Sequence, residues 1–287
     1  MDCITSIQKA IEYMEQHLLE DINYEDVARQ VYMSSYHFHR TFRMITGVSA
    51  NEYIRNRRLS IAGQELCMSE IKVIDMAYKC GYETPESFTK AFQRFHGISP
   101  SVAKRSGMPL KLYNRLILKL IVEGGNMVDY KIIEREPFQV LAKVEEFENE
   151  IVNVPGNQEI PRFWERCGKE GVFGVLRQHA DTYDVYGICG NISKGSNTFQ
   201  YGVGMLYNGN HAPSGYQIFK VKPTLWAVFP CIGGDGACIE TTWDRIFKEF
   251  LPGSEYDMLD EVDFELYPEE SDGKLFCEIW IPVVKRQ

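Results

Sequence analysis

The sequence predicts a multi-domain chain: an all-α domain of two helix-turn-helix units over residues 1–107, then an α+β domain over residues 108–287. Three features point there. The 287 residues exceed the roughly 100–200 of one domain, and 44% apolar with 25% charged is a composition able to bury cores. The hydropathy pattern changes near Ser106-Gly107-Met108-Pro109, where helical spacing (Ile7, Ala10, Ile11, Met14, then Val27, Val31 and Phe38, Phe42) gives way to strand alternation. Each part also repeats itself.

In the first part the repeat offset is 50 residues. Tyr32/Tyr82, Phe38/Phe88, Phe42/Phe92, Gly47/Gly97 and Ser49/Ser99 are identical, and Arg40/Lys90 keeps a cation. Each unit, about 24–46 and 73–96, starts with a short helix (Tyr24–Val31; Val73–Lys79) and a turn. Ser34 or Thr84 then caps a second helix, because a side-chain oxygen satisfies the free N–H groups at a helix start. Two Phe four residues apart pack that helix inward, and Gly47 or Gly97 ends it in a conformation favouring glycine. Helix-turn-helix units lay the second helix in the DNA major groove. A bridging helix over residues 51–67, if rigid, holds two such helices about one DNA turn apart, roughly 34 Å.

In the second part strands are expected at Leu116–Val122, Tyr130–Ile133, Val140–Val144, Tyr183–Asn191, Tyr201–Tyr207, Leu225–Phe229, Phe264–Tyr267 and Leu275–Val283. Ile132–Ala142 parallels Ile218–Val228, with Pro137 matching Pro223, and each half continues into a helix carrying Trp164 or Trp243. The predicted unit is strand, helix, strand, strand, duplicated. Two such units joined through their sheets leave a central concave groove, where ligands commonly bind.

Charge is divided unevenly. The net charge is −9, yet residues 1–107 carry 13 basic and 13 acidic groups while residues 108–287 carry 18 and 27. Arg29–Arg58 holds six arginines against Glu52 alone, so a locally basic surface exists on an acidic chain, and the local field governs phosphate contact. No run approaches the roughly 18 apolar residues of a membrane span, and the first residues lack the pattern of a secretory signal, so a cytoplasmic location without membrane contact is expected. The eight cysteines form no CxxC pair and read as free structural thiols. His37 and His39 are two apart, on different helix faces, so no metal pair is expected. No GxSxG, HExxH or phosphate loop occurs; no catalytic residue and no cofactor is expected.

Ser34-Ser-Tyr-His-Phe-His-Arg-Thr-Phe, Tyr53-Ile-Arg-Asn-Arg-Arg-Leu59, Ile74–Tyr82, Glu86–Phe95 and Gly97-Ile-Ser-Pro100 resemble the DNA-binding domain of the AraC/XylS transcription regulators. The resemblance implies double-stranded promoter DNA and RNA polymerase as partners. It places base-edge and adjacent contacts on Ser35, Tyr36, His39, Arg40 and Arg43 in the first unit and on Pro85, Glu86, Ser87 and Lys90 in the second. A Rob-type member carries Trp and Gln where this chain has Tyr36 and His39, so the DNA sequence read differs. Arg40 suits a bidentate pair to guanine, worth about 1–3 kcal/mol of discrimination. Arg55, Arg57 and Arg58 suit phosphate contact or pairing with acids.

Asp129–Glu134, Phe264-Glu-Leu-Tyr-Pro268 and Cys277-Glu-Ile-Trp-Ile-Pro282 resemble the GyrI-like small-molecule-binding domain. Alternation on the last strand puts Phe276, Glu278 and Trp280 on one face. If that face is the groove, a carboxylate between aromatics favours a cation. In the family a glutamate at the pocket floor meets cationic, lipophilic compounds, and motif match carries that role to Glu278. Trp226 and Tyr267, with Trp164, Phe229 and Trp280, are the expected aromatic lining. The expectation is a transcription regulator with a small-molecule effector. The alternatives are a C-terminal protein-interaction module or a hydrolase tethered to DNA.

Overall fold

Helices occupy the N-terminal third and a single antiparallel sheet with flanking helices occupies the remainder. The computed structural model describes residues 3–106, 109–118, 127–151, 154, 156–190, 198–270 and 273–286. Contacts divide the chain into two units. One comprises Thr5–Tyr32 with the described residues from Thr46 to 118; the other comprises Cys3, Ile4 and Met33–Ile45 with the sheet domain from residue 127 onward. The expected boundary at 107/108 lies outside the described residues.

The helical unit contains α1 (Cys3–Gln16), α2 (Tyr24–Gln30), α4 (Ala50–Met68), α5 (Val73–Lys79), α6 (Pro85–His96) and α7 (Pro100–Ser106). Asn23 begins α2 with a reciprocal capping box to Asp26, and the Ser49 hydroxyl begins α4 by accepting from the Glu52 amide at 3.1 Å. The second helix-turn-helix unit, α5 and α6, closes over Leu59, Leu66, Met76, Ala77, Phe88 and Phe92. Thr84 caps α6, Pro85 takes its first turn, and Gly97 ends it at φ 85°. These are the roles its sequence predicts. Arg57 forks onto Glu15 with two bonds of 2.8 Å, and Tyr53 donates to the same carboxylate, tying α4 to α1. Arg58 donates to the carbonyls of Leu18 and Glu20, so both arginines serve the helical scaffold. His96 is buried beside α4: its Nε2 donates to the Leu59 carbonyl and its Nδ1 accepts from the Lys111 amide.

Among the described residues the sheet has nine strands: β1 (Lys131–Arg135), β2 (Phe138–Glu148), β3 (Val185–Gly190), β4 (Thr198–Leu206), β5 (Gln217–Val221), β6 (Thr224–Ile232), β7 (Tyr256–Met258), β8 (Asp263–Tyr267) and β9 (Leu275–Lys285). Their order is β1-β6-β9-β8-β3-β4-β2-β5, with β7 on β9, and every pairing is antiparallel. A strand expected over Leu116–Val122 does not form where it is described. Residues 116–118 are irregular, held by the Leu116 amide bonding Tyr53, and 119–122 lie outside the described residues.

Helices α8 (Glu159–Lys169) and α9 (Val172–Arg177) cover one end of one sheet face. Helix α10 (Ala237–Arg245), continuing through a π-helical turn, covers the other end. Under α8 and α9 lie Leu141, Phe147, Phe199, Tyr201, Val203 and Met205; under α10 lie Ala227, Phe229, Ile279 and Ile281. The opposite face buries Val140, Tyr186, Ile188, Trp226, Phe264 and Trp280. Helix α3 (Ser35–Thr46) groups with this sheet domain. Its Tyr36 joins the α8/α9 cluster and its Met44 packs against the α10 cluster.

Candidate ligand groove and its helix

Strand β8 runs through the middle of the sheet, between β9 and β3. Alternation sends Phe264 into the cluster on the far face and so turns Asp263, Glu265 and Tyr267 towards the helix-covered face. Glu265 is half-buried there. Tyr201 donates to its Oε2 at 2.9 Å and Tyr267 donates to the same oxygen at 3.2 Å. Trp164 of α8 supports this pair by donating its indole N–H to the Tyr201 hydroxyl at 3.0 Å. Gly187 faces Glu265 across the β3–β8 ladder, and a Cβ there would collide with the Tyr201 hydroxyl and lie 2.8 Å from the Glu265 carboxylate. The absence of a side chain at 187 makes room for the acid. Burial pushes the Glu265 pKa above its ordinary value; the Tyr201 hydrogen bond and the charge of Arg40 offset part of that, and Asp263 adds to it.

Arg40 of α3 enters the same region. Its Nη1 lies 3.0 and 3.2 Å from the two Asp263 oxygens and 3.1 Å from the Tyr36 hydroxyl. Its guanidinium carbon stands 3.5 Å from the centroid of the Trp243 ring on α10, a close cation–π stack. Arg40 is only 5% exposed and Asp263 4%. Burial opposes the arginine's charge, but Asp263 and Tyr36 outweigh it and hold its pKa above the ordinary value.

Asp260 holds the start of α3. It accepts from the Ser34 amide at 2.6 Å and the Ser34 hydroxyl at 2.7 Å, and it pairs with His37. Burial would raise the Asp260 pKa; His37 and Ser34 instead bring it down to about 2. Ser34 still caps the helix as its sequence predicts, accepting from the His37 amide at 3.3 Å. His39 is pushed down to about 4, first by burial and then by the charge of Arg43.

The residues proposed for DNA reading therefore lie in two environments. Ser35, Tyr36, His39 and Arg40 are buried and Arg43 is half-buried. In α6, Glu86, Ser87 and Lys90 are exposed and Pro85 is half-buried. The residues proposed for the ligand also divide. Tyr267 and Trp164 sit at Glu265, their rings 4.9 Å apart. Phe229 is core under α10, against Phe250. Trp226, Trp280 and Glu278 belong to the opposite face, because Glu278 pairs across the ladder with Leu266, and Trp280 with Phe264. Glu278 forms an ion pair with Lys131 at 2.8 Å and accepts from the Trp280 indole at 3.0 Å. The carboxylate held among aromatic residues on the helix-covered face is thus Glu265. The sequence reading gave no role to Glu265, Asp263 or Tyr201, although strict alternation in Asp263-Phe-Glu-Leu-Tyr267 carried the signal for β8. Among the described residues no His/Cys/Asp/Glu group is arranged to hold a metal, and no helix is long and apolar enough to cross a membrane.

Two elements define the class of protein: a helix-turn-helix domain and a sheet domain with a carboxylate held among aromatics. Residues 27–106 match the helix-turn-helix domain family, and residues 131–283 match the integron-associated effector binding protein family. The transcriptional activator AarP of Providencia stuartii is 35% identical over 112 residues, covering 39% of this chain and 81% of AarP. The regulator YbfP of Bacillus subtilis is 37% identical over 95 residues, 33% of this chain, and the match spans about a third (32%) of YbfP. The sheet domain is similar to the structure of SAV2435 bound to tetraphenylphosphonium, with 20% identity, coverage of 54% of this chain and 94% of that chain, and a TM-score of 0.47. The chain belongs to the AraC-type helix-turn-helix regulators and, through its second domain, to the integron-associated effector binding family. Those relatives are transcription regulators.

Proposed function

We propose that the chain regulates transcription by sequence-specific DNA binding, and that its sheet domain senses a small cationic aromatic or amphipathic molecule through Glu265. The observation that carries this is the half-buried Glu265 carboxylate, held by Tyr201 and Tyr267 and backed by Trp164, on the helix-covered face. The printed hydrogen bonds to this carboxylate come from neutral hydroxyls, and a cation with aromatic surface matches both its charge and its surroundings. Helix α6 supplies the DNA-reading surface that is open to solvent, through Ser87 and Lys90.

The test is a thermal-shift screen of the full chain and of Glu265→Gln. The panel holds aryl cations such as benzylguanidinium, their neutral isosteres such as benzylurea, and aryl acids. A ligand specific to the folded chain at 100 times its Kd adds about 2.7 kcal/mol. Stabilisation by cations alone, lost in Glu265→Gln, is the expected result. Equal response to all three classes, or a cation response that survives Glu265→Gln, contradicts it.

A further inference from the structure

The region that offers a cation its partners already holds one. The geometry points to Arg40 as an internal occupant of the effector groove, so that α3 and a cationic effector compete for one site and the effector's arrival frees α3 for DNA. This rests on the effector reading above and extends it to the regulation of that site.

Three observations meet here. First, Arg40 has the partners a bound guanidinium needs: a carboxylate in Asp263, an aromatic face in Trp243 and a hydroxyl in Tyr36. Its Nε is buried without a hydrogen-bond partner among the described residues, so the site satisfies this occupant incompletely. Second, the groups that hold α3 are those a nucleic acid would replace. The Ser34 amide and hydroxyl, His37 and Arg40 all meet carboxylate oxygens, from Asp260 and Asp263, in a domain that carries the whole net negative charge. Oxygen acceptors of DNA would meet the same donors. Third, a docked α3 has Tyr36, His39 and Arg40 buried, so no base edge reaches them, while Lys90 and Ser87 of α6 remain exposed. The docked chain is left with one reading helix of two.

A ligand shifts such an equilibrium only by its differential affinity for the two states, and the coupling is reciprocal. An effector that binds only the open groove therefore raises DNA affinity, and cognate DNA raises effector affinity by the same factor.

The test uses the full chain. Asp260→Ala removes the half-exposed anchor of α3 without touching the core or any reading residue; Asp263→Asn removes the buried one. Deuterium uptake is followed in the peptide covering 33–46, and anisotropy reports affinity for duplexes enriched from a random library by the Asp260→Ala chain. Each variant without ligand, and the wild type with saturating benzylguanidinium, should exchange α3 amides at least tenfold faster and bind the duplex at least tenfold tighter. Benzylguanidinium should add little further to either variant. If it stabilises the wild type through Glu265 while α3 exchange and DNA affinity stay unchanged, the competition is overturned and the effector reading stands. If both variants open α3 without tightening DNA binding, the masking role is overturned. If no aryl cation stabilises the chain although the variants open α3 and tighten DNA binding, the effector reading fails and the competition with it.

Discussion

Removing one half of the Arg40–Asp263 pair should be the most damaging polar change in the sheet domain. Both side chains are 6% exposed, and Nη1 lies 3.0 Å from Asp263. Breaking a buried pair typically costs about 3–5 kcal/mol, because the remaining charge is stranded away from water. Arg40→Met also forfeits the stack on Trp243, about 2 kcal/mol for a desolvated cation. The cost has a ceiling, however. Once stranding a charge costs more than α3 docking is worth, the helix leaves the sheet and Asp263 regains water. Arg40→Met and Asp263→Leu should then converge on one value, the docking free energy, in urea titrations of the sheet domain followed by tryptophan emission. The double variant should return to within about 1–2 kcal/mol of wild type, since an apolar pair of similar volume strands nothing. Each single variant losing under about 0.5 kcal/mol, the size of a surface pair, would refute the burial on which this rests.

Other outcomes follow from the same geometry. His39 has a folded pKa of about 4 against an ordinary value near 6.5. Its contribution is complete above pH 6.5 and is lost as pH falls towards 4. Between pH 7.5 and 5.5 the wild type should lose roughly 1 kcal/mol relative to His39→Gln in parallel urea titrations; no difference would place His39 in water. Gly187→Ala puts a methyl against the Tyr201 hydroxyl and 2.8 Å from the Glu265 carboxylate, and overpacking of that kind costs about 1–3 kcal/mol. It should also abolish the cation response, read by thermal shift. Phe88→Ala empties the core between α4, α5 and α6, at about 3–5 kcal/mol, and should melt the second helix-turn-helix unit by circular dichroism.

How much of this was legible in the sequence depended on whether the signal was local. The caps at Ser34, Thr84 and Gly97, the limits of α5 and the Phe88/Phe92 pair are set by nearby residues, and their spacing predicted them. The strands at Lys131–Arg135, Val185–Gly190 and Leu275–Lys285 emerged within a few residues of their expected limits for the same reason. Alternation sorts a strand into two faces but does not say which face meets the helices. That depends on pairing across the sheet, here Glu278 with Leu266 and Glu265 with Gly187. The reading placed the groove carboxylate at Glu278 for that reason, one strand away and on the opposite face. The burial of Arg40 was invisible for a related cause. Asp263 lies 223 residues further along the chain, and nothing in a helix pattern announces a partner at that distance.

The most direct measurement is calorimetric titration of benzylguanidinium into the wild-type chain, Glu265→Gln and Glu278→Gln. Among the described residues Glu265 has no lysine or arginine hydrogen-bonded to it, whereas Glu278 already has Lys131. Affinity should fall at least tenfold, about 1.4 kcal/mol, in Glu265→Gln and stay within twofold of wild type in Glu278→Gln. Binding that survives in Glu265→Gln and is lost in Glu278→Gln would put the effector on the other face of the sheet and contradict the account.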